Sequence, residues 1–154
     1  MEKKKMIIGV IGGHSCSAKT AKLARELGKE IAKLGAILVC GGLSGVMEAA
    51  AQGAKENGGI TVGLLPGADK GNANKFIDIP LATGLGYTRN TLVATASDII
   101  IALPGEYGTL SEIGFALNAK KPVVGIGSWD IRGMLKASSA KQAISIIKRR
   151  ALHG

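Results

Sequence analysis

Aromatic residues are scarce in this chain, at 3% of 154 residues: two Phe, two Tyr and one Trp. That scarcity excludes the aromatic-studded sheets on which RNA-binding domains stack bases, although a formal charge of +9 would otherwise invite a nucleic-acid reading. The lysines are spread along helix faces, so the positive balance speaks of non-specific attraction, and no specific nucleic-acid partner is expected. Cysteine is nearly absent as well. Cys16 and Cys40 match no zinc spacing and are too few for a disulfide framework, so both read as buried free thiols of a cytoplasmic protein. No apolar run approaches the roughly 18 residues of a membrane span. Met1-Glu2-Lys3-Lys4-Lys5 leads straight into a strand-length apolar segment, which is not the pattern of a signal peptide. Neither a membrane, nor a metal, nor a cofactor is therefore expected.

Small and aliphatic residues dominate instead, and they alternate between two periods. Residues 6–11, 36–39, 60–65, 76–79, 99–102 and 123–126 are short apolar runs that read as buried parallel strands. Between them lie helical patterns. One starts near Ser17, carries Leu23, Leu27, Ile31 and Leu34 on one face, and stops at Gly35. Others cover 46–51, 88–96, 110–117 and about 140–150, while the polar stretch 68–75 reads as a mobile surface loop. Strand–helix alternation over the whole length predicts an α/β Rossmann-like, doubly wound parallel sheet in three layers, as one domain over 1–154.

Three strands end in glycine turns that open helices: Gly12-Gly13, the run containing Gly41, Gly42 and Gly45, and Gly105 to Gly108. In such sheets ligands bind beyond the carboxyl ends of the strands, where strand order reverses. The stretch Leu103-Pro104-Gly105-Glu106-Tyr107-Gly108-Thr109-Leu110-Ser111-Glu112 is the most informative. Its glycines would permit backbone angles closed to other residues, and the free N–H groups of the new helix would attract a phosphate. Glu112 would lie about one turn further on. The simpler account makes this a tight connection with Thr109 as N-cap.

Two other nucleotide motifs fail on inspection. Gly13-His14-Ser15-Cys16-Ser17-Ala18-Lys19-Thr20 spells a Walker A loop except for Ala18, whose methyl group obstructs the phosphate wrap, and no strand ends in a magnesium-binding Asp. Ser17 as an N-cap explains that stretch better. The spaced glycines of a dinucleotide site are missing after the first strand, and Cys40 stands near the place of the ribose-binding acid.

Cys40-Gly41-Gly42-Leu43-Ser44-Gly45-Val46-Met47, Tyr87-Thr88-Arg89-Asn90 and Pro104 to Glu112, in this order and spacing, resemble the LOG-like family of Rossmann proteins. That family includes cytokinin-activating phosphoribohydrolases, proteins labelled possible lysine decarboxylases, and molybdenum cofactor carrier proteins. The version Gly84-Leu85-Gly86-Tyr87-Thr88-Arg89-Asn90 is similar to that of the short prokaryotic members and the carrier branch. The resemblance implies a phosphate site on Gly105, Tyr107, Gly108 and Thr109, with Gly13, Gly41, Gly42 and Gly45 lining the same edge. It implies Arg89 and Glu112 as catalytic residues for cleaving the N-glycosidic bond of a nucleoside 5′-monophosphate. A carboxylate suits the oxocarbenium charge that develops at C1′. It equally implies a carrier that holds a phosphorylated pterin without turnover, and in either case a homodimer. Three positions depart from the hydrolase pattern: Glu106 replaces its second glycine, Asn90 replaces a lysine, and Cys40 replaces a glycine. Decarboxylation draws no support, because no Schiff-base lysine is singled out.

Overall fold

The apolar runs become strands because helices cover the sheet on both sides and leave them no polar face. In this computed structural model, which describes residues 2–153, the strands are β1 (Ile7–Ile11), β2 (Ile37–Cys40), β3 (Ile60–Leu65), β4 (Ile79–Ala82), β5 (Ile99–Ala102), β6 (Val123–Gly125) and β7 (Leu135–Lys136). They form one sheet in the order β4-β3-β2-β1-β5-β6-β7, with every neighbouring pair parallel. The helices are α1 (Ala18–Lys33), α2 (Val46–Glu56), α3 (Arg89–Ala96), α4 (Tyr107–Asn118) and α5 (Ala140–Leu152).

Leu27 and Ile31 of α1, Ala50 of α2 and Ile147 of α5 pack with Ile8, Val10 and Leu38 on one face. On the other, Val93 and Ala94 of α3 and Ile113 and Ala116 of α4 pack with Ile11, Val39, Ile100 and Ala102. The chain therefore winds outward from β1 to β4 and returns to β5 beside β1, which is the doubly wound, three-layered α/β arrangement. The switch point lies between β1 and β5. No helix among the described residues is long and apolar enough to cross a membrane.

Local chemistry sets the element ends. The Ser17 hydroxyl accepts from the Thr20 N–H at 3.1 Å and caps α1, and Ser139 does the same for α5 through Gln142 at 3.1 Å. Gly35, at φ +77°, takes the left-handed turn that ends the first helix.

The described residues differ from expectation in four places. The strand expected over 76–79 lies at Ile79–Ala82 and contains Pro80, which is tolerated because β4 is an edge strand with one side unpaired. Residues 76–78 are instead held by side chains: Thr61 donates its hydroxyl to the Phe76 carbonyl at 2.6 Å, and Asp78 accepts the Thr61 N–H at 3.0 Å. Second, β7 has two residues, too few for a period to show. Third, the supposed loop 68–75 is stitched down: Asn74 donates its side chain to the Leu43 carbonyl at 2.7 Å and its backbone N–H to Gly42 at 2.9 Å. Fourth, Cys16 is exposed, because it lies on a turn, while Cys40 at the end of β2 is buried.

Gly28 and Gly53 let α1 and α2 cross with backbones nearly touching. A Cβ on Gly28 would strike the Ala50 carbonyl, and one on Gly53 the Arg25 carbonyl. Gly53→Ala is therefore expected to lower unfolding stability by about 1–3 kcal/mol in a urea titration, the usual range for overpacking. A loss below the error of that titration would show that the crossing yields freely.

Candidate functional site

The ligand edge is assembled by backbone contacts among the three glycine turns. Gly13 N–H donates to the Pro104 carbonyl at 2.9 Å, Val46 N–H donates to the Gly13 carbonyl at 3.0 Å, and the Ser44 hydroxyl donates to the His14 carbonyl at 2.8 Å. Close approach, more than unusual dihedral angles, explains the glycines. A Cβ on Gly105 would collide with the Thr109 hydroxyl and come within 2.8 Å of Gly13 N, and one on Gly13 would come within 2.6 Å of the Ser15 carbonyl. Left-handed backbone occurs at Gly42 and Gly45, at φ +77° and +70°, and not at Gly105 or Gly108, contrary to expectation.

Helix α4 begins at Tyr107, three residues before the expected 110. Thr109 is thus inside its first turn and buried, not an N-cap; the cap position belongs to Glu106, whose exposed side chain makes no capping bond. The first helical bond runs from Leu110 N–H to the Glu106 carbonyl at 3.0 Å. Among the described residues, the backbone N–H groups of Gly105, Glu106, Tyr107, Gly108 and Thr109 have no hydrogen-bond partner. Free donors at the positive end of a helix are the kind of group to which an anion is drawn. Around Gly108 the space is open, with only the Asn90 side-chain nitrogen 3.9 Å from a Cβ position.

Arg89 opens α3, and Glu112 sits in the second turn of α4, which packs beside it. Both are buried, at 8% and 7% exposure. The Arg89 Nη1 donates to Asn90 Oδ1 at 2.6 Å, the Asn90 amide donates to the Ser111 hydroxyl at 3.3 Å, and Ser111 donates to the Gly108 carbonyl at 2.7 Å. A chain of polar contacts thus links the guanidinium to the first turn of α4. Gly41 makes room for that guanidinium, since a Cβ there would lie 2.8 Å from Nη1. Arg89 Nε is fully buried and has no partner. Sequence reasoning placed Ser111 within the stretch from Leu103 to Glu112 but gave it no role, because its bond to Asn90 depends on how α3 and α4 pack.

Arg89 and Glu112 sense each other's charge without forming an ion pair within 4.0 Å; the pairs among the described residues all lie elsewhere. Burial raises the Glu112 carboxyl to about 8, opposed by the positive charge of Arg89. Burial likewise lowers Arg89 from its ordinary value, with Glu112 opposing. The Cys40 thiol, pushed up to about 12 by burial although it accepts from Gly42 N–H at 3.4 Å, stays neutral and unreactive. No group of three or more His, Cys, Asp or Glu side chains that could hold a metal ion occurs among the described residues.

The sequence pattern of the SLOG cluster4 family matches residues 5–152. The chain belongs to this LOG-like family. An uncharacterised protein from Archaeoglobus fulgidus is 46% identical over 123 residues, covering 80% of this chain and 81% of that one. The Mycobacterium tuberculosis cytokinin riboside 5′-monophosphate phosphoribohydrolase is 34% identical over 121 residues, covering 73% of this chain and 65% of the enzyme. The solved molybdenum cofactor binding protein from Rippkaea orientalis superposes with TM-score 0.90 at 36% identity, covering 97% of this chain and 99% of that structure. This member of the SLOG cluster4 family is thus similar both to a phosphoribohydrolase and to a molybdenum cofactor binding protein.

The elevated Glu112 carboxyl gives this family member a distinctive pH dependence. From pH 4.5 to about 8 the unfolded chain has released that proton and the folded one retains it, so folding stability falls as pH rises through this window. Asp78 and Glu56, both lowered, act in the opposite sense below their ordinary values and so outside the window. Glu112→Gln is expected to flatten the fall, read as Tm against pH; an unchanged slope would contradict burial as the cause.

Proposed function

We propose that the protein binds a nucleoside 5′-monophosphate and hydrolyses its N-glycosidic bond to base and ribose 5-phosphate. The observation that carries this reading is the row of unpaired N–H groups from Gly105 to Thr109 beside a buried guanidinium with an unfilled donor. The phosphate takes the free N–H groups, with Gly13, Gly41, Gly42 and Gly45 keeping the surrounding backbone close. Tyr107 and Thr109 contribute through their N–H groups. Arg89 supplies fixed positive charge, and Glu112 faces the sugar.

The chemistry follows from the burial of Glu112. A carboxyl that keeps its proton near neutrality can give it to the departing base as the C1′–N bond breaks. The carboxylate left behind then faces the positive charge growing at C1′, so one group serves as acid and as counter-charge. Water adds its oxygen to C1′ and returns a proton to the carboxylate. No metal or cofactor enters this sequence, and the free thiols suit a reducing cytoplasm.

A second reading has its own support. The structural likeness to the Rippkaea orientalis protein extends over nearly both whole chains, and Glu106 and Asn90 depart from the hydrolase pattern. On that reading the same anion site holds a phosphorylated pterin without turnover. For either ligand we place the protein as a homodimer through the outer faces of α3 and α4, where Leu92 and Phe115 remain 36% and 43% exposed.

Incubation with AMP is expected to release adenine, and Glu112→Gln to slow release by roughly 10²–10⁴-fold, the usual worth of a general acid. Tight binding of AMP with no free base at stoichiometric protein would overturn the hydrolase and leave the carrier. Leu92→Glu is expected to convert the dimer to monomer in sedimentation equilibrium; a monomeric parent protein would dismiss the dimer.

A further inference from the structure

The chain's single tryptophan lies in the loop after β6, half-buried against the start of α4. Its indole N–H points at two carbonyls of the glycine turn, Gly105 at 3.1 Å and Glu106 at 3.3 Å. The neighbouring Ser128 hydroxyl donates to the Leu103 carbonyl at 2.9 Å, so the loop grips the turn at both ends. Tyr107 rests beside the indole with ring centroids 6.3 Å apart and planes tilted by 34°.

In a trans peptide the C=O and the following N–H point in opposite senses. Fixing the Gly105 carbonyl toward Trp129 therefore fixes the Glu106 N–H away from it, and fixing the Glu106 carbonyl does the same for the Tyr107 N–H. Both N–H groups belong to the unpaired row. The Gly105 carbonyl has no other hydrogen-bond partner among the described residues, and glycine resists rotation of that peptide least of all residues. Without the indole, a flip of the 105–106 peptide would present an oxygen where the row presents a donor.

We propose that Trp129 is the positioning residue of the anion turn: its indole N–H holds the carbonyls of Gly105 and Glu106 outward so that the free N–H groups face the ligand. This inference rests on the phosphate reading of the site, and it adds that the loop after β6 sets affinity without touching the anion. It also makes Trp129 the natural reporter of occupancy, since no other indole contributes to emission.

The test compares the parent protein with Trp129→Phe, which keeps an aromatic ring against Tyr107 and removes the donor. Backbone amide order parameters for residues 105–109 are measured by NMR without ligand, and the affinities of inorganic phosphate and AMP by calorimetry. Order parameters in the turn are expected to fall in the variant while Tm is kept, and both ligands to bind roughly three- to tenfold more weakly, as suits the loss of one net hydrogen bond. Emission of the parent protein is expected to change on saturation with either ligand. Unchanged order and unchanged affinity in the variant would overturn the brace alone. A parent protein that binds neither ligand, with the variant's turn loosened all the same, would overturn the phosphate reading and with it the purpose of the brace.

Discussion

Gly13 holds the ligand edge together through its own peptide groups: its N–H donates to Pro104 and its carbonyl accepts from Val46. The turn after β1 is thereby tied to the turn after β2 on one side and to the turn after β5 on the other. Each tie removes one donor and one acceptor from the edge, so what stays unsatisfied is selected. One run of unpaired backbone donors, residues 105–109, lies at the start of α4, beside the switch point of the sheet. Substituting any glycine that permits this contact would separate the turns, because the nearest atoms at Gly45 and Gly105 include backbone.

Onto this polar backbone edge the fold places two ionisable side chains with little access to water. A guanidinium buried without an ion partner is costly, and the enclosure offsets that cost with one short bond to Asn90. The unfilled Nε is what persists of it. Such an arrangement gains nothing for folding, and a ligand that brings negative charge would relieve it. This is the physical basis on which an anion site is proposed there, whichever of the two ligands would supply the charge.

Much of this was legible in the sequence. The period of the apolar runs revealed the parallel sheet, and three glycine-rich turns marked the strand ends that meet at its carboxyl edge, because both are written in local residue spacing. β4 was misplaced because Pro80 reads locally as a breaker, while only the sheet order shows that it lies on an edge. The start of α4 was misread because Thr109 is a good capping residue by type, whereas the helix begins earlier on Glu106, which caps nothing with its side chain. Asn74 and Trp129 left no trace at all, since each acts by holding a distant carbonyl, and partners 31 and 24 residues away follow from topology rather than pattern.

A crystal structure of the protein with AMP tests the central claim most directly. The account requires the phosphate on the backbone N–H groups of residues 105–109, with the Glu112 carboxyl turned toward the ribose. Phosphate bound elsewhere on the surface, or a protein carbonyl occupying that concavity while AMP is held by other residues, would contradict it.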